Sequence, residues 1–238
     1  MTPEEVNNLA WNHIKQGRYD EAIAIYERIL QPGQGKWGNY GIALLMRGDA
    51  VAAEQAFLQI RLMPNFRRIV ILDVGVALWC QGKREAACAD WQQEMVRVKT
   101  TEVRYYNASG LYLASLLWWA SLQMEEPDLT EAALSDLRLL RTWEEQAEEW
   151  GMVMAACILG EITPEEFLLE AAGTPDLDAQ PLGVRHSRHV TQSFFYLSGR
   201  YPPHSAGWCA DLNSAIQYGT PHGITEPEYH LARYELGH

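Results

Sequence analysis

Apolar residues recur at helical spacing through the first hundred residues, in pairs of short runs parted by a glycine. Residues 9–30 show the unit. An apolar stripe runs to Gln16, Gly17 breaks it, and Tyr19, Ala22, Tyr26 and Ile29 form a second stripe on one helical face. Thr2 and Glu5 have the spacing of a capping box, so the first helix is predicted from about Pro3 to Gln16. Two short amphipathic helices cannot bury their own apolar faces, so neighbours of the same kind must cover them.

The pattern returns twice. Residues 37–46 and 50–62 form a second pair around Arg47-Gly48-Asp49, and residues 68–80 and 84–98 form a third around Gln81-Gly82-Lys83. Between the first two pairs, residues 31–35 read as a turn. Gly17, Gly48 and Gly82 stand 31 and 34 residues apart, a period near that of two-helix repeats. Beyond residue 98 the period degrades. Residues 102–123 read as one long helix, with Ser109-Gly110 as a site of close approach. Asp128 and Glu131 have capping-box spacing for a helix to about Gln146. A further helix ends at Gly160, and Thr163-Pro164-Glu165-Glu166 opens a short one to Ala172. Residues 173–183 are the best linker candidate. Residues 189–201 look like another first helix with Gly199 at its turn, residues 206–218 like its partner, and residues 229–236 like a terminal cap.

Aligned on their turns, the first three pairs carry a shared set of positions. The first has Val6, Leu9, Ala10, His13, Gly17, Tyr19, Ala22, Tyr26 and Ile29. The second has Trp37, Tyr40, Gly41, Leu44, Gly48, Ala50, Ala53, Phe57 and Ile60. The third has Ile71, Val74, Gly75, Leu78, Gly82, Arg84, Ala87, Trp91 and Glu94, of which Arg84 and Glu94 depart from the pattern. This set resembles the tetratricopeptide repeat family over residues 3–98. The resemblance implies an all-α fold, a right-handed superhelical array of antiparallel helix pairs (an α-solenoid), with a less regular C-terminal half. Three repeats would occupy residues 1–98, an irregular acidic region 99–173, and a degenerate repeat with a capping helix 174–238, all in one continuous array. It also implies that first helices line a concave surface, here through Asn7, Trp11 and Ile14, then Asn39, Ile42 and Leu45, then Asp73, Val76 and Trp79. Only Asn39 fits the lysine, asparagine and arginine set of repeats that grip chain-terminal carboxylates, and Asp73 reverses the needed charge. The lining is apolar and aromatic instead, suited to an amphipathic helix from a partner or from the chain's own later segments.

Charge changes the picture of the second half. The 238 residues carry a net charge of −12. Residues 121–180 hold 15 acids and two bases, Arg138 and Arg141, for −13, while the remainder holds 16 acids and 17 bases, for +1. A phosphate-binding surface needs clustered cations, so nucleic acid is not expected, and a basic protein is the better partner. Glu144, Glu145, Glu148 and Glu149 read first as a solvated helix face, but with no lysine or arginine four residues on the strip is unfavourable by itself, which favours a cationic partner meeting it.

No basic and apolar leader opens the chain, and its most apolar run, residues 111–120, is about half the length of a membrane span. A cytoplasmic protein without membrane association is the expectation. Cys80, Cys88, Cys157 and Cys209 have no close spacing and read as small core residues. His186 and His189, with His204 and Cys209, make at most a partial metal set, and packing histidines are the simpler reading. Gly33-Gln34-Gly35-Lys36 lacks the remaining features of a phosphate loop. No nucleophile, base and orienting residue are forced together, so no enzyme and no cofactor are expected. The functional expectation is a protein–protein interaction module, most concretely an inhibitor or immunity-type protein capping a basic toxin or effector. The alternatives are a chaperone or assembly adaptor for an amphipathic client helix and, more remotely, a metal-dependent enzyme using His186 and His189. The oligomeric state stays open.

Overall fold

A computed structural model describes residues 3–29, 37–63, 70–100, 107–143, 149–173, 184–220 and 225–237. Among these residues there are thirteen helices and no strand. The all-helical fold is therefore as the pattern predicts. Contact density divides the chain into two units, Met1–Ala87 and Cys88–His238, and the division falls inside the third patterned hairpin.

The first unit holds α1 (Pro3–Lys15), α2 (Tyr19–Ile29), α3 (Trp37–Arg47), α4 (Ala50–Arg61) and α5 (Asp73–Trp79), each packed on the next. Small residues set how closely they pack. Ala10, Ala22 and Ala53 are fully buried, and a Cβ on Gly41 would come within 2.4 Å of the Phe57 ring. The second unit takes over within α6 (Arg84–Thr100). It continues with α7 (Asn107–Gln123), α8 (Pro127–Arg141), α9 (Glu149–Ile158), α10 (Pro164–Gly173), α11 (Val184–Ser198), α12 (Ala206–Gly219) and α13 (Pro227–Leu236). Here too successive helices from α7 to α13 pack on one another, with α9 also against α7 and α11, and α13 against α11. Packing between successive helices is the arrangement of stacked helical repeats. Among the described residues no helix is long and apolar enough to cross a membrane.

One closing motif ends the first helix of five successive pairs. In each, a residue two to four positions past the helix donates its backbone N–H to the carbonyl five residues back: Arg18 to His13, Asp49 to Leu44, Lys83 to Leu78, Glu126 to Ser121 and Glu161 to Ala156. The residue before it takes a left-handed φ, which is the Schellman arrangement. Gly17 (73°), Gly48 (90°), Gly82 (77°) and Gly160 (75°) adopt it without a Cβ penalty, but the fourth pair uses Glu125 (55°). The repeat therefore persists where its glycine does not, and the intervals 31, 34, 43 and 35 between these residues show where the sequence period slips. The sixth pair is joined by a longer connection in which His204 (63°) is the left-handed residue. Gly199, read from sequence as its turn glycine, has another constraint: a Cβ there would lie 2.9 Å from Cη2 of Trp118.

Among the described residues five tryptophans, Trp79, Trp91, Trp119, Trp150 and Trp208, are buried. Within the second unit three of them satisfy their indole N–H on a buried side chain, as buried indoles must. Trp119 donates to Ser198 Oγ at 3.1 Å, Trp150 to Gln192 Oε1 at 2.8 Å and Trp208 to Gln123 Oε1 at 3.0 Å. The two departures in the third repeat also find their places. The Arg84 guanidinium lies 5.0 Å from the centroid of the Trp79 ring, and buried Glu94 accepts from Arg97, one turn on, at 2.7 Å.

Several boundaries differ from expectation. The third pair opens with the short α5, preceded by a turn over residues 70–72, not with a helix from residue 68. The helix predicted to reach Gln146 stops at Arg141, and it begins at Pro127 with Glu126 as N-cap, so Asp128 lies inside its first turn. Thr163 opens α10 as expected, and does so through a reciprocal capping box: Glu166 Oε2 accepts from Thr163 N at 2.7 Å, and Glu166 N donates to Thr163 Oγ1 at 3.2 Å. Thr2, residues 31–36 and residues 174–183 lie outside the described residues.

Candidate functional site

In the first unit, the lining residues separate by burial. Asn7 and Asn39 come together, with Asn7 Oδ1 accepting from Asn39 Nδ2 and from the Tyr26 hydroxyl, each at 3.3 Å. Burial pushes the Tyr26 phenol up to about 12, so this hydroxyl remains a donor at all physiological pH. Asn7, Trp11, Asn39 and Asp73 keep part of their surface accessible. Ile14, Ile42, Leu45, Val76 and Trp79 are buried, so contact with a partner through them would require the chain to open. Glu144, Glu145 and Glu148 lie outside the described residues, as does the side chain of Glu149, whose backbone begins α9.

The second unit carries the described part of the acidic region as a surface. Glu125, Glu126, Asp128 and Glu131 are exposed at the start of α8, and Glu161, Glu165, Glu166 and Glu170 are exposed on the α9–α10 turn and on α10. The first two turns of these helices suit carboxylates, because the helix amino end is positive. Hydrogen bonds from the backbone and hydroxyl of Thr163 hold the Glu166 carboxyl below its usual range, so it stays ionised. α9 packs against both α8 and α10, and an ion pair between Arg141 and Glu161 ties the end of α8 to the α9–α10 turn. Arg138 is the exposed base of this region.

Beside that turn a cavity of about 420 Å³ opens between α7, the α9–α10 turn and α11. Its walls are apolar at Trp118, Ile158, Ile162 and Leu197, and Glu161 and Arg200 bring charge to it. Arg200 donates through Nε to the Leu197 carbonyl at 3.2 Å and stands 3.9 Å from Asp211. Cys157 also faces the cavity, and burial pushes its thiol up to about 11, which leaves it protonated and a poor nucleophile.

Behind the cavity lies a cluster that sequence reasoning missed. Tyr196, itself a lining residue, donates its hydroxyl to Glu228 Oε1 at 2.7 Å. Gln192 Nε2 reaches Glu226 Oε2 at 3.2 Å and Glu228 Oε1 at 3.4 Å, while Arg188 Nε meets Glu226 Oε1 at 2.5 Å. Glu226 and Glu228 are both buried, and Glu228 Oε2 has no hydrogen-bond partner among the described residues. Burial, then the neighbouring charge of Glu226, raises the Glu228 carboxyl to about 7. The Tyr196 phenol is raised well above its usual value, chiefly by burial and then by Glu228. In the sequence, Thr225-Glu226-Pro227-Glu228 signals only a helix start, and nothing local reports that α11 will cover it.

The histidines do not converge. His189 stacks on Trp150 with centroids 4.1 Å apart, His204 meets Trp208 edge-on at 5.1 Å, and the side chain of His186 lies outside the described residues. Among the described residues no group of three or more His, Cys, Asp or Glu side chains could hold a metal ion. Two features with the geometry to act remain in the second unit, an acidic surface and an apolar cavity at its edge. Residues 6–31, which make up most of α1 and α2, match the model of the tetratricopeptide repeat family. No curated protein matches the chain. Tetratricopeptide repeats are generally non-enzymatic protein-interaction folds, and the match therefore points to a protein–protein interaction module.

Proposed function

We propose that this protein is an inhibitor or immunity-type module that binds a basic protein through the acidic surface of its second unit. The carrying observation is the set of eight exposed carboxylates along the start of α8, the α9–α10 turn and α10, against exposed Arg138 and the Arg141 that Glu161 already pairs. Carboxylates crowded at the start of α8, and again on the α9–α10 turn and α10, repel their neighbours within each group, and an incoming cationic surface relieves that repulsion while speeding encounter. An inhibitor needs no chemistry of its own, only a complementary face and a rigid scaffold to hold it. The adaptor reading is supported less well, because it relies on an open apolar lining and most of those residues are buried.

The test is charge reversal at Glu131, Glu165 and Glu170 together. Partner captured by the wild-type chain from its native host should dissociate with rising salt, and the triple variant should lose at least about ten-fold in affinity at low salt. Binding that survives both the reversal and high salt would overturn the reading.

A further inference from the structure

The cavity beside the α9–α10 turn has apolar walls and is bordered on one side by the carboxylates of that turn and of α10. Trp118, Ile158, Ile162 and Leu197 present carbon to it, while Glu161 lines it and Glu165 and Glu166 follow directly on α10. Among its described lining residues the one cation, Arg200, is held by the Leu197 carbonyl and faces Asp211, and the one acid, Glu161, pairs with Arg141, so the field around the opening is set by Glu165, Glu166 and Glu170 on α10. A free anion would therefore meet the field of the surrounding carboxylates, whereas a cationic segment would be drawn to them. Apart from Glu161 on the turn, the lining residues offer that segment no carboxylate to grip, only a place to put an apolar side chain. Strong protein interfaces have this anatomy: an apolar anchor in a water-excluding pocket, ringed by polar contacts.

We propose that the cavity is an anchor pocket, receiving one aromatic or large aliphatic side chain of a cationic protein segment whose flanking lysines or arginines meet Glu161, Glu165 and Glu166. This rests on the acidic-surface reading and adds to it the point of attachment and the residue type that attaches. The volume of about 420 Å³ holds one large side chain with room to spare. The α9–α10 turn is braced by the left-handed Gly160 and by the Thr163–Glu166 capping box, so the pocket wall is preformed and little ordering cost accompanies binding.

The test uses the full chain and two fluorescein-labelled lysine-rich peptides, one with a single central phenylalanine and one with alanine in its place. Their binding is read by anisotropy at low salt. The phenylalanine peptide should bind at least about ten-fold more tightly, the gain expected from burying one aromatic ring. Filling the cavity with Ile162→Trp, and independently with Ile158→Trp, should reduce that peptide to the affinity of the alanine peptide while leaving the alanine peptide's affinity unchanged. Helical circular dichroism checks that each variant is folded. Equal, salt-sensitive binding of the two peptides to the wild type overturns the pocket and leaves the acidic surface standing. So does an undiminished preference in a folded filled variant. Failure of both peptides to bind at low salt overturns the pocket together with the acidic-surface reading.

Discussion

The two units are built from the same hairpin and differ in what they bury. The first packs small residues against aromatic ones, closes its pairs on glycine, and keeps its polar contacts, such as Asn7 with Asn39, near the surface. The second buries indoles on polar side chains, encloses two carboxylates beneath α11, and closes one pair on a glutamate. A repeat scaffold tolerates such substitutions because each pair needs only a compatible neighbour. The first unit is a regular template, and the second is where regularity gives way to a particular surface.

The largest effect should come from the second unit's core. Trp119→Ala removes a fully buried indole whose ring centroid lies 4.4 Å from that of Phe195 and leaves Ser198 short of a donor, so chemical denaturation should show a loss of about 4 kcal/mol. Next is the buried carboxyl. The Glu228 pKa is raised in the folded state, to about 7 from an ordinary 4.5, so its contribution is fully present below pH 4.5 and lost as pH rises through 7. Wild type should lose on the order of 3 kcal/mol across that window relative to Glu228→Gln, measured by urea unfolding at pH 5 and pH 8. Equal pH slopes in the two proteins would remove the buried charge from the account.

In the first unit the corresponding weakness is steric. Gly41→Ala drives a methyl into the Phe57 ring and should cost about 2 kcal/mol, read as a lower midpoint of thermal unfolding. The smallest effects compare the turns directly. Gly48→Ala has open space but a φ of 90°, so it should cost about 1 kcal/mol, whereas Glu125→Gly should stabilise by a similar amount or less. Opposite signs at the two positions would establish that Glu125 occupies the glycine's role. The same sign would separate the fourth turn from the others.

These positions also show how far the sequence could be read. Gly17, Gly48 and Gly82 announce their turns because glycine is the residue that takes a left-handed φ without cost, so the first pairs were legible. Glu125 and His204 carry no such mark, and with them the period was lost although the hairpins remained. Site residues were harder. A helical stripe such as Ile42, Leu45, Val76 and Trp79 has the same spacing whether it lines an open face or fills a core, and only packing decides. The acidic bias of residues 121–180 was plain from composition, but the strip singled out within it, Glu144 to Glu149, falls largely outside the described residues, while the exposed carboxylates of α8 and α10 include Asp128, Glu131, Glu165 and Glu166, which spacing marked only as helix starts. The buried pair Glu226 and Glu228 was invisible, because two glutamates flanking a proline look like the start of any helix.

The central claim is that the irregular second unit, not the regular first one, meets the partner. Hydrogen–deuterium exchange of the full chain, alone and bound to the protein it captures from its host, tests this most directly. Added protection is expected along the start of α8, the α9–α10 turn and α10, with α1, α3 and α5 unchanged. Protection confined to α1, α3 and α5 would contradict that claim.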